Sequence, residues 1–154
     1  MMQEGITHLD NGNMVLRKLT SLKKLDLSFN KITKIDNLDV LKELRELNLS
    51  FNRIETMENL GKIVNLRLVN LSHNKIRRLE NLKNLRKLEV LSITGNLLED
   101  LTVYGTGLEP LLELKELNAG KNKIQIVKQA LNMFPNVRLL LIVMVQQHRL
   151  KRLT

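Results

Sequence analysis

Asparagine recurs at Asn30, Asn52, Asn74 and Asn96, 22 residues apart each time, inside the pattern Leu-x-x-Leu/Val-x-Leu/Ile-x-x-Asn-x-Ile/Leu. A unit of that length cannot bury its own apolar face, so successive units must stack on one another into an elongated coil. The segments LKKLDLSFNKI (22–32), LRELNLSFNRI (44–54), LRLVNLSHNKI (66–76) and LEVLSITGNLL (88–98) carry the pattern. After a longer step, LKELNAGKNKI (114–124) repeats it, with Ala119 at a core position and Asn122 as the fifth asparagine. Residues 15–21 match the second half of a unit, as in NLDVLKE (37–43), so a partial coil precedes the first complete one. Residues 137–145 read as a sixth strand with Val145 where the asparagine belongs.

Within a unit, Leu25 and Leu27 alternate with Lys24, Asp26 and Ser28, the period of a strand with one face buried. Ile32, Ile35, Leu38 and Leu41 then follow at intervals of three, which suits 3-10 or short irregular turns better than a long α-helix and predicts a thin outer wall. The repeating asparagines Asn30, Asn52, Asn74, Asn96 and Asn122 are polar residues flanked by buried positions. Their amides are expected to form a structural ladder that satisfies the main chain leaving each strand, since a buried polar group without a partner costs about 1–3 kcal/mol.

The motifs resemble leucine-rich repeat proteins, in particular the short-repeat class that includes the leucine-rich regulatory subunit of type-1 protein phosphatase, centriolin and the leucine-rich dynein light chain. The resemblance spans residues 15–140. It implies an α/β repeat solenoid, a right-handed superhelix with a parallel β-sheet on its concave face and 3-10 or irregular turns on its convex face. On this reading residues 1–154 form one domain. It comprises a partial repeat 15–21, repeats 22–43, 44–65, 66–87, 88–113 and 114–136, and a degenerate terminal repeat 137–154. The resemblance further implies a non-catalytic, usually intracellular binding surface with the concave sheet as docking face, and, through its named members, phosphatase-regulatory, cytoskeletal, ciliary or centrosomal roles.

The outward strand positions define the expected protein-binding face: Lys24, Asp26 and Ser28; Glu46, Asn48 and Ser50; Leu68, Asn70 and Ser72; Val90, Ser92 and Thr94; Glu116 and Asn118. This floor is polar with an apolar spot at Leu68 and Val90, which suits a protein or peptide better than a small apolar ligand. Two columns of cations flank it. Lys31, Arg53, Lys75 and Lys123 follow the ladder asparagines, with Leu97 interrupting, and Lys23, Arg45, Arg67, Lys115 and Arg138 precede the strands, with Glu89 interrupting. They account for much of the imbalance between 25 basic and 16 acidic residues, a net charge of +9. A solvated rim is the simpler reading of such columns, and an acidic-partner site the sharper one. Phe29 and Phe51 directly precede ladder asparagines in a chain with 3% aromatics, and His73 continues their column. They read as a stacked pair beneath the turn in preference to anchors for a partner.

Catalysis has no foothold in the sequence. It has no Cys, no Gly-x-Ser-x-Gly elbow and no His placed with carboxylates at metal-ligand spacing, and Glu80, Glu99 and Asp100 lack a catalytic companion. No cofactor and no metal are expected. With no disulfide framework, no apolar core in MMQEGITHLD and no apolar run of membrane-spanning length, the expectation is a cytoplasmic protein, with cytoskeletal or nuclear association in scope, and no membrane partner. The acceptor patterns Asn48-Leu-Ser50 and Asn70-Leu-Ser72 then follow from the repeat consensus alone.

Nucleic-acid binding is the alternative class, motivated by the cation columns and by His148-Arg149-Leu150-Lys151-Arg152, and disfavoured by the scarcity of stacking aromatics. TVYGTGLEP (102–110) lengthens the fourth unit and reads as a protruding loop, with Tyr104 as its contact residue and Gly105 and Gly107 as turn formers. The apolar run 139–145 reads as an interface for a second copy or partner, or as the cut end of a longer leucine-rich repeat protein, the reading preferred here.

Overall fold

The computed structural model describes residues 14–105, 111–125 and 130–141. A short helix, α1 (Met14–Lys18), leads into β1 (Lys24–Asp26), β2 (Glu46–Asn48) and β3 (Leu68–Asn70). Then come β4 (Leu79–Glu80), β5 (Val90–Ser92), β6 (Val103–Tyr104), β7 (Glu116–Asn118) and β8 (Leu139–Leu141). Six of the strands form one parallel sheet in the order β1-β2-β3-β5-β7-β8. Parallel pairing follows from the repeat: each coil returns the chain to the same edge in the same direction. Lys24 thus faces Glu46, Glu46 faces Leu68 and Leu68 faces Val90, the register advancing by one repeat at each step. The longer fourth unit keeps that register, with Val90 opposite Glu116.

One wall of the coil is apolar throughout. Leu47, Val69, Leu91 and Leu117 form a column of fully buried strand centres, and Leu25 and Leu140 close it as partly buried ends. Leu49, Leu71, Ile93 and Ala119 form the next column, and Ile54, Ile76 and Leu98 the one after it. Each fully buried aliphatic side chain contributes about 1.5–3 kcal/mol of transfer free energy, delivered only when a neighbouring coil covers it.

The ladder asparagines hold the coils together from inside. Asn52 donates from Nδ2 to the carbonyl of Leu49 in its own coil (3.1 Å) and to that of Leu27 in the preceding coil (2.9 Å), while its Oδ1 accepts the Ile32 amide N–H (2.9 Å). Asn74 repeats this set on Leu71, Leu49 and Ile54, and Asn96 on Ile93, Leu71 and Ile76. Asn122 does the same across the lengthened unit, on Ala119, Ile93 and Leu98. Asn30, at the first coil, donates to the carbonyls of Leu27 and Ser28.

The convex wall is mostly irregular turn, with 3-10 segments at Leu60–Lys62 and Ala130–Met133. Two features depart from the thin wall of turns read from the sequence. The partial first coil begins in α1, although its turn hydrogen bond from the Leu19 N–H to the Leu16 carbonyl repeats the one from Leu41 to Leu38. β4 and β6 also pair in parallel, Leu79 with Val103 and Glu80 with Tyr104, so the start of the fourth unit's insertion is a strand rather than a free loop. Residues 106–110 lie outside the described residues, as do 142–154 and with them most of the apolar run 139–145 and the basic segment 148–152.

Backbone handedness recurs with the period too. Phe29, Phe51, His73 and Lys121 lie at φ 53–57°, and Gly95 at 70°, all in the left-handed region that turns the chain out of the strand. A second such column, Asn37, Asn59 and Asn81, opens the convex turns, where asparagine tolerates the conformation better than other residues.

Two outcomes follow. Asn52→Leu removes both bridges to the preceding coil and is expected to cost about 3 kcal/mol, read as a lowered midpoint in urea unfolding. Lys121→Gly relieves a left-handed lysine and is expected to raise stability by about 0.5–1 kcal/mol in the same measurement, after the greater unfolded-state freedom of glycine is offset.

Candidate functional site

The concave face is built from three parallel rows. The strands are three residues long, so the row of Lys24, Glu46, Leu68, Val90, Glu116 and Leu139 and the row of Asp26, Asn48, Asn70, Ser92 and Asn118 lie within the sheet. Ser28, Ser50, Ser72 and Thr94 lie just past it. In the first row Lys24 pairs with Glu46 at 2.9 Å, Leu68 and Val90 follow, and Leu139 reopens an apolar surface at the far edge. Leu68 is 37% exposed and Leu139 42%, large values for leucines in a sheet.

The other two rows are tied to each other. The Asp26 carboxylate accepts both the N–H (2.8 Å) and the hydroxyl (2.6 Å) of Ser28, and the Asn48 amide donates to its other oxygen at 3.0 Å. The Ser28 hydroxyl and then its N–H hold the Asp26 carboxyl below its ordinary range, helped last by Asn48 and opposed by burial. Asn48 repeats the turn on Ser50, accepting its hydroxyl (2.8 Å) and N–H (3.1 Å), and Asn70 accepts the Ser72 N–H (3.0 Å). These serines therefore belong to the scaffold more than to the face. Ser50 is only 5% exposed, which corrects the expectation that it contacts a partner.

Some polar capacity remains. The Nδ2 of Asn70 makes no hydrogen bond among the described residues, and it lies in the strand of Leu68. The Oδ1 of Asn118 is buried without a partner, because the N–H two residues on, at Gly120, does not reach it as the serine N–H groups do in the first three coils.

The two cation columns differ in a way their spacing does not reveal. In the column before the strands, Glu89 accepts from Arg67 at 2.7 Å and from Lys115 at 2.8 Å, clamping the stripe at its centre. Lys115 first and Arg67 second lower the Glu89 carboxyl below its ordinary value. In the column after the ladder, Lys31, Arg53, Lys75 and Lys123 are exposed and make no ion pair among the described residues.

Beside them the aromatic column is stacked. The rings of Phe29 and Phe51 lie 4.4 Å apart and 7° from parallel, and those of Phe51 and His73 lie 4.2 Å apart at 12°. The stack continues onto Gly95, where an added Cβ would come within 2.8 Å of the His73 ring. The expected stacking is present, but it does not lie beneath the turn: Phe29 is 74% exposed and Phe51 43%. A left-handed backbone at each ring position projects the rings along the rim.

On the convex side, Tyr104 is tied down. Its hydroxyl donates to Asp100 at 3.1 Å, which raises its pKa, and Arg78 lies 5.2 Å from its ring centroid. It borders an open polar groove of about 590 Å³ with Asn59, Lys62, Glu80, Asn81 and Lys83. The left-handed asparagines were not singled out in the sequence reading, although their own 22-residue spacing was a usable signal. Among the described residues no cluster of His, Asp and Glu could hold a metal ion, and no helix is long and apolar enough to cross a membrane.

A family model for leucine-rich repeats, built on two copies, matches residues 20–62 and 64–108, more than half of the chain. The chain belongs to the leucine-rich repeat family. Internalin C2 from Listeria monocytogenes has a similar structure, with a TM-score of 0.71, 26% identity and coverage of 86% of this chain and 56% of that one. A leucine-rich repeat protein from Leptospira interrogans is similar at TM-score 0.69 and 27% identity, over 88% of this chain and 34% of that one. A chain solved in a TLR13–ssRNA13 complex gives a TM-score of 0.65 and 25% identity, over 78% of this chain and 19% of that one. The chain thus spans about half of internalin C2 and less of the others. No curated protein matches it. Leucine-rich repeat solenoids characteristically present extended concave surfaces to protein partners, and the pinned rows described above form such a surface.

The Glu89 clamp makes a pH-dependent prediction. Because the folded-state pKa lies below the ordinary 4.5, the stabilisation is present above that value and is lost as pH falls through the lower folded value. Glu89→Gln is expected to lower the urea midpoint slightly near neutral pH. The gap to the unmodified protein should close in acid and shrink in high salt.

Proposed function

We propose that this leucine-rich repeat domain is a non-catalytic adaptor that binds a partner protein through its concave sheet. The single observation that carries the reading is the centre of that sheet. There Leu68 is exposed among polar rows whose side chains are already held by their neighbours, and the Asn70 amide nitrogen is left to donate. An apolar centre with a preorganised polar surround loses little side-chain freedom on docking, which favours a protein surface as ligand. The contact set consists of Lys24, Asp26, Glu46, Asn48, Leu68, Asn70, Val90, Ser92, Glu116 and Asn118, with Ser28, Ser72 and Thr94 at its margin. The repeat divisions at 22, 44, 66, 88 and 114, and the short-repeat class to which they correspond, belong to the same proposal.

The resemblance to the phosphatase regulatory subunit, centriolin and the dynein light chain supports a phosphatase-regulatory or cytoskeletal, ciliary or centrosomal partner, and a cytoplasmic setting. Copurifying phosphatase activity favours the first and pelleting with microtubules the second. The chain's coverage of about half of internalin C2 equally suits a domain within a longer protein.

The test is affinity capture from lysate at physiological salt, comparing the native chain with Asn48→Arg/Asn70→Arg after circular dichroism shows that the variant is folded. The expected outcome is a defined set of partners lost from the variant. An identical set retained by both would overturn the concave-face reading.

A further inference from the structure

The rim beside the ladder concentrates cations that form no ion pair among the described residues. The three turns 29–35, 51–57 and 73–79 carry Lys31, Lys34, Arg53, Lys75, Arg77 and Arg78 against the carboxylate of Glu55, with Asp36, Glu58 and Glu80 directly following the turns, so the cations remain in excess by six to four. Among the described residues, Arg78 alone of these cations is placed against a group of its own, the Tyr104 ring. The opposite stripe differs, since Glu89 there engages both Arg67 and Lys115.

Lys31, Arg53 and Lys75 stand immediately beyond the ladder asparagines, and Phe29, Phe51 and His73 immediately before them. Two columns, one of exposed cations and one of rings in which Phe29 and Phe51 are exposed and His73 is half-buried, therefore run side by side up the first three coils, each advancing by one strand spacing of about 4.8 Å per coil.

The arrangement of the rings decides what fits there. Ring faces in the stack are turned toward each other at 4.2 and 4.4 Å, leaving no space for a base between them, and the end at His73 is occupied by Gly95. Single-stranded nucleic acids combine phosphate contacts with the stacking of successive bases on aromatic faces, and among the described residues of this stack only the outer face of Phe29 is open to a base. The stack offers its ring edges to solvent instead. An aromatic edge carries the positive part of the ring quadrupole and attracts a carboxylate, as the adjacent cations do.

We propose that this rim is a docking site for an extended acidic segment of a partner protein, whose carboxylates lie along the ring edges of Phe29, Phe51 and His73 and pair with Lys31, Arg53 and Lys75. An extended chain places alternate side chains on one side about 6.6 Å apart against about 4.8 Å per coil, so three carboxylates span about 13 Å where three cations span about 10 Å, a difference that the long Lys and Arg side chains take up without the segment having to fold. The site deepens the adaptor reading by naming the chemistry of one partner element, and it rests on that reading only in taking the partner to be a protein.

The experiment is a fluorescence anisotropy titration of the purified chain with a labelled peptide of alternating Glu and Ser. The matching Gln–Ser peptide and an oligothymidylate of equal charge serve as comparisons. Because it needs no native partner, its result is independent of the concave-face capture. The Glu–Ser peptide is expected to bind and the Gln–Ser peptide not to bind. Lys31→Gln/Arg53→Gln/Lys75→Gln should weaken binding about tenfold, the sum expected of three exposed ion pairs.

Lys23→Gln/Arg45→Gln/Arg138→Gln on the opposite stripe should change it by no more than about twofold, the contribution expected of distant, screened charges. Phe29→Leu/Phe51→Leu, checked for folding by circular dichroism, should weaken it about threefold through the lost ring edges. Absence of Glu–Ser binding, equal losses from the two cation triples, or tighter binding of the oligothymidylate would each overturn the proposal, the last in favour of a nucleic-acid rim.

Discussion

The fold depends on one amide group used three ways. A side chain that accepts from the coil below, donates to the coil below and donates to its own coil turns two neighbouring loops into one rigid element, and it does so in a space that excludes water. Apolar burial supplies most of the stabilisation and already opposes a one-residue slip, which would turn the inward leucines to solvent, and the asparagines add a second constraint on the same register. The asparagine bonds are directional and fail under a shift of one residue. The sheet rows, the aromatic stack and the cation columns all inherit their alignment from them, since every one of these features is a residue at fixed distance from Asn30, Asn52 or Asn74.

Alignment explains why the two faces differ in character. On the concave side, the row beginning at Asp26 spends its hydrogen-bonding capacity on the serines two residues ahead, so that side chains which look free in the sequence are fixed parts of the surface. On the convex side, each coil turns differently, by a 3-10 turn at Leu60–Lys62 or a short strand pair at β4 and β6, because only the buried leucines and isoleucines are shared between units. The solenoid thus combines a regular, stiff floor with an irregular outer wall.

Much of this architecture was legible in the residues. The parallel sheet, its inward columns and the ladder follow directly from a 22-residue period, because periodicity records burial and burial decides the path of the backbone. Strand alternation does not carry past Asn48 to Ser50, where the chain already turns and the serine hydroxyl folds back on the amide. The strand at Tyr104 is not legible within the protruding loop that the sequence suggests, because two residues leave no periodic trace. The exposure of Phe29 was hidden for a third reason. Ring placement depends on the sign of a backbone dihedral, and a phenylalanine held at φ 56° is not anticipated from composition or spacing. The inequality of the two cation stripes rests on one residue, Glu89, whose reach to both neighbours is a matter of side-chain geometry.

The ladder is indifferent to how far the chain travels between one asparagine and the next. Asn122 makes the same three bonds after a step lengthened by four residues as Asn74 and Asn96 make after a regular one. The described start of the extra length, β6, pairs with β4 on the convex side and leaves the concave register unchanged. A scaffold built this way can be edited along two separate axes: whole units lengthen or shorten the concave surface in fixed increments, while insertions vary the outer wall without disturbing it. Divergence in such a lineage is therefore digital on one face and continuous on the other.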